Sequence, residues 1–285
     1  MTQQARLEEL PDRLVARHRD RVLFEYVFRP RLPRELAPRP YFHPVRTLAG
    51  VDLTDHQPAD HRWHLGLGHS WPVVNEWNFW GGPTYVRDRG YVALDNHGEI
   101  RHLGWDGLRE ELEWLDPQAH RVAAERRTMG APEVDPDADA WFLELETDIE
   151  NTGPRGLRLG SPTTEGRPLA GYAGLAWRGP DPLREAGVVL EDGPAAADPM
   201  GLRSRWLACA GGGVTVAFFE HPGNPGVPNR WFVRTVEYPL VASSPVFDRE
   251  LELAPGDRLH LRHRLLFADG VWDAGRLGRA AAAVV

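Results

Sequence analysis

Lysine is missing from this chain, because all 33 basic residues among its 285 positions are arginine. Without lysine, neither a Schiff-base intermediate nor a lysine general base is available. Arginine stays protonated in proteins, so in a functional site its role is to hold anionic groups. Cysteine is nearly absent too: Cys209 stands alone, which excludes an internal disulfide and a thiolate metal cluster. The apolar run around Cys209 predicts a core position for it.

Positive charge and long apolar runs are also scarce. The net charge is −8 and the pI about 5.8, which gives no electrostatic support for a nucleic-acid partner. No apolar run approaches the roughly 20 residues of a membrane helix, and no secretory signal is visible at the N-terminus. No glycine fingerprint for a nucleotide cofactor is present. We therefore expect a cytoplasmic protein with a small-molecule partner, while its oligomeric state stays open.

Turn-forming residues are abundant, with 29 glycines and 25 prolines. They separate short alternating or β-branched runs, a pattern typical of strands. We predict one all-β domain over residues 1–285, in which two large antiparallel sheets pack as a β-sandwich with short flanking helices. The helices are predicted as an extension within residues 1–20, where Leu7, Leu10 and Leu14 have helical spacing, and as an alanine-rich segment over residues 274–285.

Histidines are concentrated early in the chain, where five of the twelve fall within residues 43–69. One interpretation is a metal site drawn from His43, His61, His64 and His69, with a nearby carboxylate as oxygen ligand. In a second, His61 and His64 are general acid/base groups beside a carboxylate. A third makes all of them structural. The cofactor is accordingly unknown, with a divalent metal as one option.

A second candidate segment, FFEHPGNPGVPNRWFVR, follows a predicted strand much later in the chain. Its prolines fix a loop that presents His221 as a further catalytic candidate and Asn224 as a ligand for a hydroxyl group. Trp231 follows as a stacking surface. The alternative interpretation is a rigid hairpin.

Aromatic and polar residues elsewhere complete the predicted site. The chain has 11 tryptophans, and indole rings stack on the apolar faces of sugars, which favours a carbohydrate-like ligand. Trp80 would add to the stacking wall. Arg178, after Trp177, would hold an anionic group, and Asn75 and His43 would position hydroxyl groups.

Several segments, in their order along the chain, resemble the PmoA-like family of uncharacterised bacterial proteins, the so-called methane oxygenase PmoA family. The resemblance rests on RPYFHP, DHRWHLGL followed by Asn75 and an FW pair, GYAGLAWR, HPGNPGVPNRW, and a closing strand over 253–264. Trp63 stands where the family pattern has a histidine. The resemblance implies an extended supersandwich like that of the aldose mutarotases and a link to sugar metabolism.

Three functions follow from these observations. The leading one is an enzyme that acts on a carbohydrate or related polyhydroxylated compound by hydrolysis, elimination or isomerisation. The alternatives are a non-catalytic carbohydrate-binding accessory protein and a metal-dependent oxidase or oxygenase. All three require the DHRWH and HPGNP loops to meet at one cavity at the mouth of the sandwich.

Overall fold

Antiparallel strands make up nearly all of the regular structure in the computed structural model, which describes residues 2–195 and 198–284. In chain order the strands are β1 (Gln3–Gln4), β2 (Arg6–Glu9), β3 (Arg13–His18), β4 (Arg21–Val27), β5 (Tyr41–Val45), β6 (Leu67–Val74), β7 (Trp77–Phe79), β8 (Thr84–Val86), β9 (Gly90–Val92), β10 (Glu99–Asp106), β11 (Arg109–Leu115), β12 (Arg121–Met129), β13 (Glu133–Asp135), β14 (Ala140–Asn151), β15 (Leu157–Gly160), β16 (Gly174–Arg178), β17 (Gly187–Leu190), β18 (Gly193–Pro194), β19 (Trp206–Gly211), β20 (Val214–Glu220), β21 (Arg230–Arg234), β22 (Leu240–Ser244), β23 (Leu251–Leu253) and β24 (Arg258–Asp269). Two short 3₁₀ helices cover Arg34–Leu36 and Asp181–Leu183, and the helix α1 covers Ala274–Ala281.

The strands form two sheets of eleven strands each and one small hairpin, β8–β9. Sheet I has the order β10-β11-β12-β14-β24-β20-β19-β17-β18, and β13 joins β1 to β14. Sheet II has the order β2-β3-β4-β5-β6-β16-β22-β21, with β7 and β15 paired to β6 and β23 paired to β15. The predicted large antiparallel β-sandwich is confirmed.

The core lies between the two sheets because each long strand alternates its side chains. In β24, Leu259, Leu261 and Leu265 are buried while His260 is exposed, the pattern of a strand with one buried face. Trp177 of sheet II reaches Phe218 of sheet I, with ring centroids 5.9 Å apart. Burial of such aromatic rings contributes about 1.5–3 kcal/mol each. The core position predicted for Cys209 is confirmed as well, since that thiol is buried.

The predicted N-terminal helical extension is wrong, since the described part of residues 1–20 forms strands β1 to β3. Pro11 lacks a backbone N–H and lies in the turn that joins β2 to β3, where Leu10 N donates to Arg13 O at 2.8 Å. Pairing of β3 with β4 buries Leu14 on the sandwich. Tertiary burial therefore outweighs the helical spacing of the leucines.

The C-terminal helix is confirmed in a shorter form. Helix α1 begins after Asp273, whose Oδ1 accepts from Arg276 N at 2.7 Å as an N-cap. Its Leu277 packs on the outer face of sheet I. Met1 and Val285, the ends of the two predicted helical segments, lie outside the described residues. The number of domains stays a prediction.

One finding bears on a membrane role. Within residues 2–195 and 198–284, no helix has the length and apolar character needed to cross a membrane.

Candidate functional site

A cavity of about 390 Å³ lies on the outer face of sheet II, the face turned away from the core. A row of four residues crosses the sheet at this face. Gly68, Ala176 and Ala242 lie side by side across β6, β16 and β22, and Phe232 of β21 continues the row. Phe232 lines the cavity, whereas Gly68 and Ala176 line a smaller pocket beside it.

Two consecutive turns bring His61 and His64 to this cavity. His61 N donates to Pro58 O at 3.0 Å, and His64 N donates to His61 O at 2.9 Å. The i-to-i+3 turn stacks the two imidazole rings, with centroids 4.7 Å apart and an interplanar angle of 13°. Both rings line the cavity.

Trp63, between the two histidines, forms one wall. Its indole ring lies against Gly81 and Gly82, both at positive φ. A Cβ at Gly82 would lie 2.4 Å from the Trp63 ring, so only glycine leaves room for the indole. Asn78 holds the adjoining turn: its Oδ1 accepts from the backbone N–H groups of Trp80 and Gly81, each at 2.8 Å.

Further aromatic rings complete the walls. Trp80 lies against Tyr172, with ring centroids 4.6 Å apart, and Tyr172 meets Phe232 edge-on at 5.3 Å. Tyr238 closes the opposite side, 4.8 Å from the His61 ring. Rings presented in this way to a cavity suit a ligand with an apolar face.

The titratable groups divide the histidine pair into two roles. His61 Nδ1 lies 2.7 Å from Asp60 Oδ2. Burial would raise the pKa of Asp60, but the His61 hydrogen bond and Arg178 hold that pKa below its ordinary value. Burial lowers the pKa of His64 well below its ordinary value, and the neighbouring His61 and Arg178 lower it further. His64 is therefore neutral at physiological pH.

Arg178 lines a smaller adjoining pocket of about 20 Å³, here called the inner end of the cavity, which shares His64, Trp80 and Leu240 with it. Its guanidinium is 4.2 Å above the Tyr238 ring, and its Nη1 is 3.5 Å from His64 Nδ1. Nη2 lies 3.6 Å from Asp60 Oδ1 and 3.8 Å from Asp55 Oδ2. Arg178 therefore lies beside the histidine turn, while its predicted role of holding an anionic group stays a prediction.

More polar groups surround the cavity mouth. Tyr91 and Tyr172 share a hydrogen bond of 2.9 Å between their hydroxyls, and Arg167 donates to the Tyr91 hydroxyl. On the other side, Arg234 Nη1 donates to Glu237 Oε2 at 2.7 Å. This hydrogen bond lowers the pKa of Glu237.

Two predicted ligand-positioning residues lie elsewhere. His43 shares a hydrogen bond of 3.0 Å with Thr54 Oγ1 and stacks on His56, 5.0 Å away, so it does not line the cavity. Asn75 follows the far end of β6 in a left-handed conformation, with φ of 55°. Its Oδ1 accepts from Arg158 N at 2.8 Å. Asn75 therefore shapes a turn, and Asn78 is the asparagine that serves the cavity.

The HPGNP loop does not meet the DHRWH loop at the cavity, so the predicted shared site is wrong. His221 Nδ1 accepts from Gly223 N at 2.9 Å and faces Arg262 of β24. The Asn224 side chain is hydrogen-bonded to the Arg262 backbone: its Nδ2 donates to Arg262 O and its Oδ1 accepts from Arg262 N, both at 2.8 Å. Trp231 is fully buried between the sheets. Alternation in β21 turns Trp231 inward and leaves Phe232 for the cavity.

The predicted metal ligands do not converge either. His69 faces the interior of the sandwich because it is one residue from Gly68, which faces outward along β6. In the part of the chain that the structure describes, no group of three or more His, Cys, Asp or Glu side chains is placed to hold a metal ion. The set His43, His61, His64 and His69 is therefore wrong as one site.

The fold and the cavity define an all-β protein with an aromatic-walled pocket. Its family is assigned from the sequence. Residues 13–282 match the model of a family of unknown function, DUF6807, and the chain belongs to that family. This match overturns the resemblance to PmoA-like proteins. The quoted motifs are proline-fixed turns and aromatic core positions, which are too short to distinguish families.

Comparison with other known proteins adds little. No curated protein matches the chain. Among solved structures, a polysaccharide lyase is similar at 11% identity and a TM-score of 0.43, over 98% of this chain and 34% of that one. An alpha-galactosidase from Lactobacillus brevis is similar at 8% identity and a TM-score of 0.42, over 94% of this chain and 40% of that one. This chain thus spans only 34% to 40% of the length of these enzymes.

Sequence reasoning missed several cavity residues, which come from four separate segments. They are Tyr91, Arg167, Tyr172, Phe232, Arg234, Glu237 and Tyr238. Strand parity could have found two of them: if Trp231 is inward, Phe232 and Arg234 of β21 are outward. Tyr91 lies in the short strand β9 and the remainder lie in loops, so no local pattern specifies where they meet.

Proposed function

We propose that this protein is an enzyme that acts on a carbohydrate or a related polyhydroxylated small molecule bound on the outer face of sheet II. One observation carries the proposal: a cavity of about 390 Å³ whose walls are aromatic rings and whose lining includes a carboxylate-paired histidine. The volume lies within the range of small-molecule sites, about 300–1,000 Å³. Aromatic walls suit the apolar faces of a sugar ring, and the surrounding hydroxyl and guanidinium groups suit its hydroxyls.

His61 is the acid/base group of the proposal. Asp60 engages its Nδ1, so Nε2 is the nitrogen that would exchange a proton with the ligand. Asp60 would act as a positioning residue, because it fixes the tautomer and the ring orientation. His64, kept neutral by burial, would serve as a hydrogen-bonding wall and as the surface on which His61 stacks.

The first experiment is a binding and turnover screen. Trp63 and Trp80 line the cavity, so their fluorescence should change when a sugar or sugar acid from a broad panel is titrated in. Each binder is then incubated at high protein concentration, and the products are followed by mass spectrometry and NMR. Turnover that His61→Ala lowers by about 10²–10⁴-fold, with circular dichroism unchanged, would support the proposal.

Matched variants separate the possible outcomes. His260→Ala, an exposed histidine on the outer face of sheet I paired with Glu146, should leave both binding and turnover as in the wild type. Binding without turnover under any condition would support the carbohydrate-binding accessory role instead. Full activity in His61→Ala would remove His61 from the chemistry.

A further inference from the structure

We infer that the ligand of this cavity carries a carboxylate, which sits at the inner end against Arg178 and Arg39, so that the substrate class is sugar acids. The inference rests on the proposed function, because it specifies the compound that the same cavity binds. It starts from a sign difference: the chain carries a net charge of −8, whereas the lining of the cavity is positive.

The charges can be counted from the residues around the site. Four arginines line the cavity and its inner extension, namely Arg39, Arg167, Arg178 and Arg234. The single carboxylate in that lining is Glu237. Asp60 and Asp55 lie 3.6 and 3.8 Å from Arg178 Nη2, and Asp181 also acts on the Arg178 charge. With these three aspartates, which do not line the cavity, four positive groups face four negative ones. The arrangement of the charges, with the arginines in the lining and most carboxylates outside it, therefore favours an anion beside the arginines.

Arg39 contributes a charge with no carboxylate partner among the described residues. It is 4% exposed, and its donors go to neutral groups: Ser70 Oγ at 2.7 Å, the carbonyls of Leu36 and Ala37, and Trp63 O at 3.0 Å. A buried guanidinium without a counter-ion is costly. A bound carboxylate would supply that counter-ion.

Arg178 contributes free donor capacity. It is 3% exposed, and its Nε has no hydrogen-bond partner among the described residues. Its two acidic neighbours lie at 3.6 and 3.8 Å, beyond direct hydrogen-bond distance. A guanidinium with an unused N–H group is suited to bind one oxygen of a carboxylate.

The space for this group is an inner cavity of about 20 Å³. Arg39, His64, Ser70 and Arg178 line it, and it adjoins the main cavity through the shared residues His64 and Trp80. The volume accommodates about one water-sized group, such as one carboxylate oxygen. The remainder of the ligand would then lie along the aromatic walls, with its ring near His61.

The experiment compares matched neutral and acidic sugars. Tryptophan fluorescence is titrated with glucose against glucuronate and gluconate, and with galactose against galacturonate and galactonate, at constant ionic strength. We expect at least one acid to bind about tenfold or more tightly than its neutral partner, with the preference weakened by added salt. Its methyl ester should bind like the neutral sugar.

Variants locate the effect. Arg178→Met should remove the acid preference, while Arg155→Met, an exposed ion-pair partner of Glu76 elsewhere, should keep it. Thermal unfolding shows whether Arg178→Met is folded. Arg167→Gln, at the cavity mouth, is a second, independent variant and should lower the preference for acidic over neutral sugars severalfold.

Each outcome is decisive for one of the two proposals. Equal binding of neutral and acidic sugars, or an acid preference that survives in a folded Arg178→Met, would overturn the carboxylate inference and leave the proposed function standing. No binding by any sugar would reject the proposed function itself.

Sodium acetate and sodium chloride are titrated as separate controls. If neither salt displaces the bound sugar acid or changes the tryptophan fluorescence, the sugar part of the acid is required for binding. A response to acetate or chloride equal to that of the acids would reduce the site to one for small free anions and overturn the inference.

Discussion

The pair His61 and His64 and the single His69 lie on opposite faces of sheet II, separated by only a few residues of sequence. His61 and His64 stack at 4.7 Å at the cavity on the outer face. His69, five positions later, faces the interior, where its ring lies 6.0 Å from His263 of sheet I. The same side chain thus occurs in a ligand-accessible and in a sealed environment within one segment.

The difference shows what surroundings do to an imidazole. His61 has a carboxylate partner and lines the cavity. Neither ring nitrogen of His69 has a hydrogen-bond partner among the described residues, and burial lowers its pKa well below the ordinary value. Burial lowers the pKa of His263 to about 3. Histidine density in a sequence therefore does not by itself indicate chemistry.

The interior also holds a charged network, which contrasts with the half-exposed pairs of the cavity. Arg127 donates from Nε to Glu125 Oε1 at 2.8 Å and from Nη1 to the Tyr26 hydroxyl at 2.9 Å. Tyr26 in turn donates to Glu110, which also binds His102. These groups are buried between the sheets, so they contribute to the geometry of the sandwich and have no access to a ligand.

Removal of the central cation should give the largest effect on stability. Arg127→Met leaves Glu125 buried without its positive partner, and we expect the free energy of unfolding to fall by about 3–5 kcal/mol. Urea unfolding followed by fluorescence measures this change. Arg258→Met, which breaks an exposed pair with Asp148, should cost under about 1 kcal/mol. Equal losses would contradict the distinction between interior and surface charges.

The interior histidines should make the fold sensitive to acid. The unfolded chain takes up a proton on His263 below about pH 6.5, whereas the folded protein does so only near pH 3. The free energy of unfolding therefore falls as the pH drops through this window. Between pH 7 and 5, we expect His263→Leu to lose about 2 kcal/mol less than the wild type. Urea titrations at both pH values test this, and His260→Leu should follow the wild type.

A smaller effect, of opposite sign, is expected at His69. His69→Leu removes two buried nitrogens that have no partner among the described residues and keeps an apolar side chain of similar size. We expect the free energy of unfolding at pH 7 to rise by about 1 kcal/mol. Denaturant unfolding measures it. A large loss of stability would mean that His69 makes hydrogen bonds through buried water, which would contradict the contrast drawn between the interior histidine and the pair at the cavity.

The smallest effect is expected at His221. It lies with Arg262 and away from the cavity, so His221→Ala should change ligand affinity and turnover by less than about twofold. Fluorescence titration and the turnover assay, run beside His61→Ala, measure both. A loss in His221→Ala comparable to that in His61→Ala would restore the idea of one site shared by the two loops.

Much of the fold could be predicted because it depends on local patterns. Apolar and polar residues alternate over residues 258–263, and this half of β24 has one buried face. The helical prediction within residues 1–20 failed, because Leu7, Leu10 and Leu14 have helical spacing but Pro11 places a turn among them. Among the predicted site residues, His61, His64 and Trp80 line the cavity and Arg178 lines the adjoining pocket, while their roles stay predictions.

Local patterns are sufficient to assign the class of the protein, because alternation and turn residues specify the strands of an all-β chain. The same patterns do not indicate which candidate residues share a cavity. Strand parity, sheet order and cross-strand register place β6, β16, β22 and β21 side by side and leave His43, Asn75 and His221 elsewhere. These contacts connect residues far apart in the chain, so no local pattern encodes them, and packing of the two sheets selects among the possible arrangements.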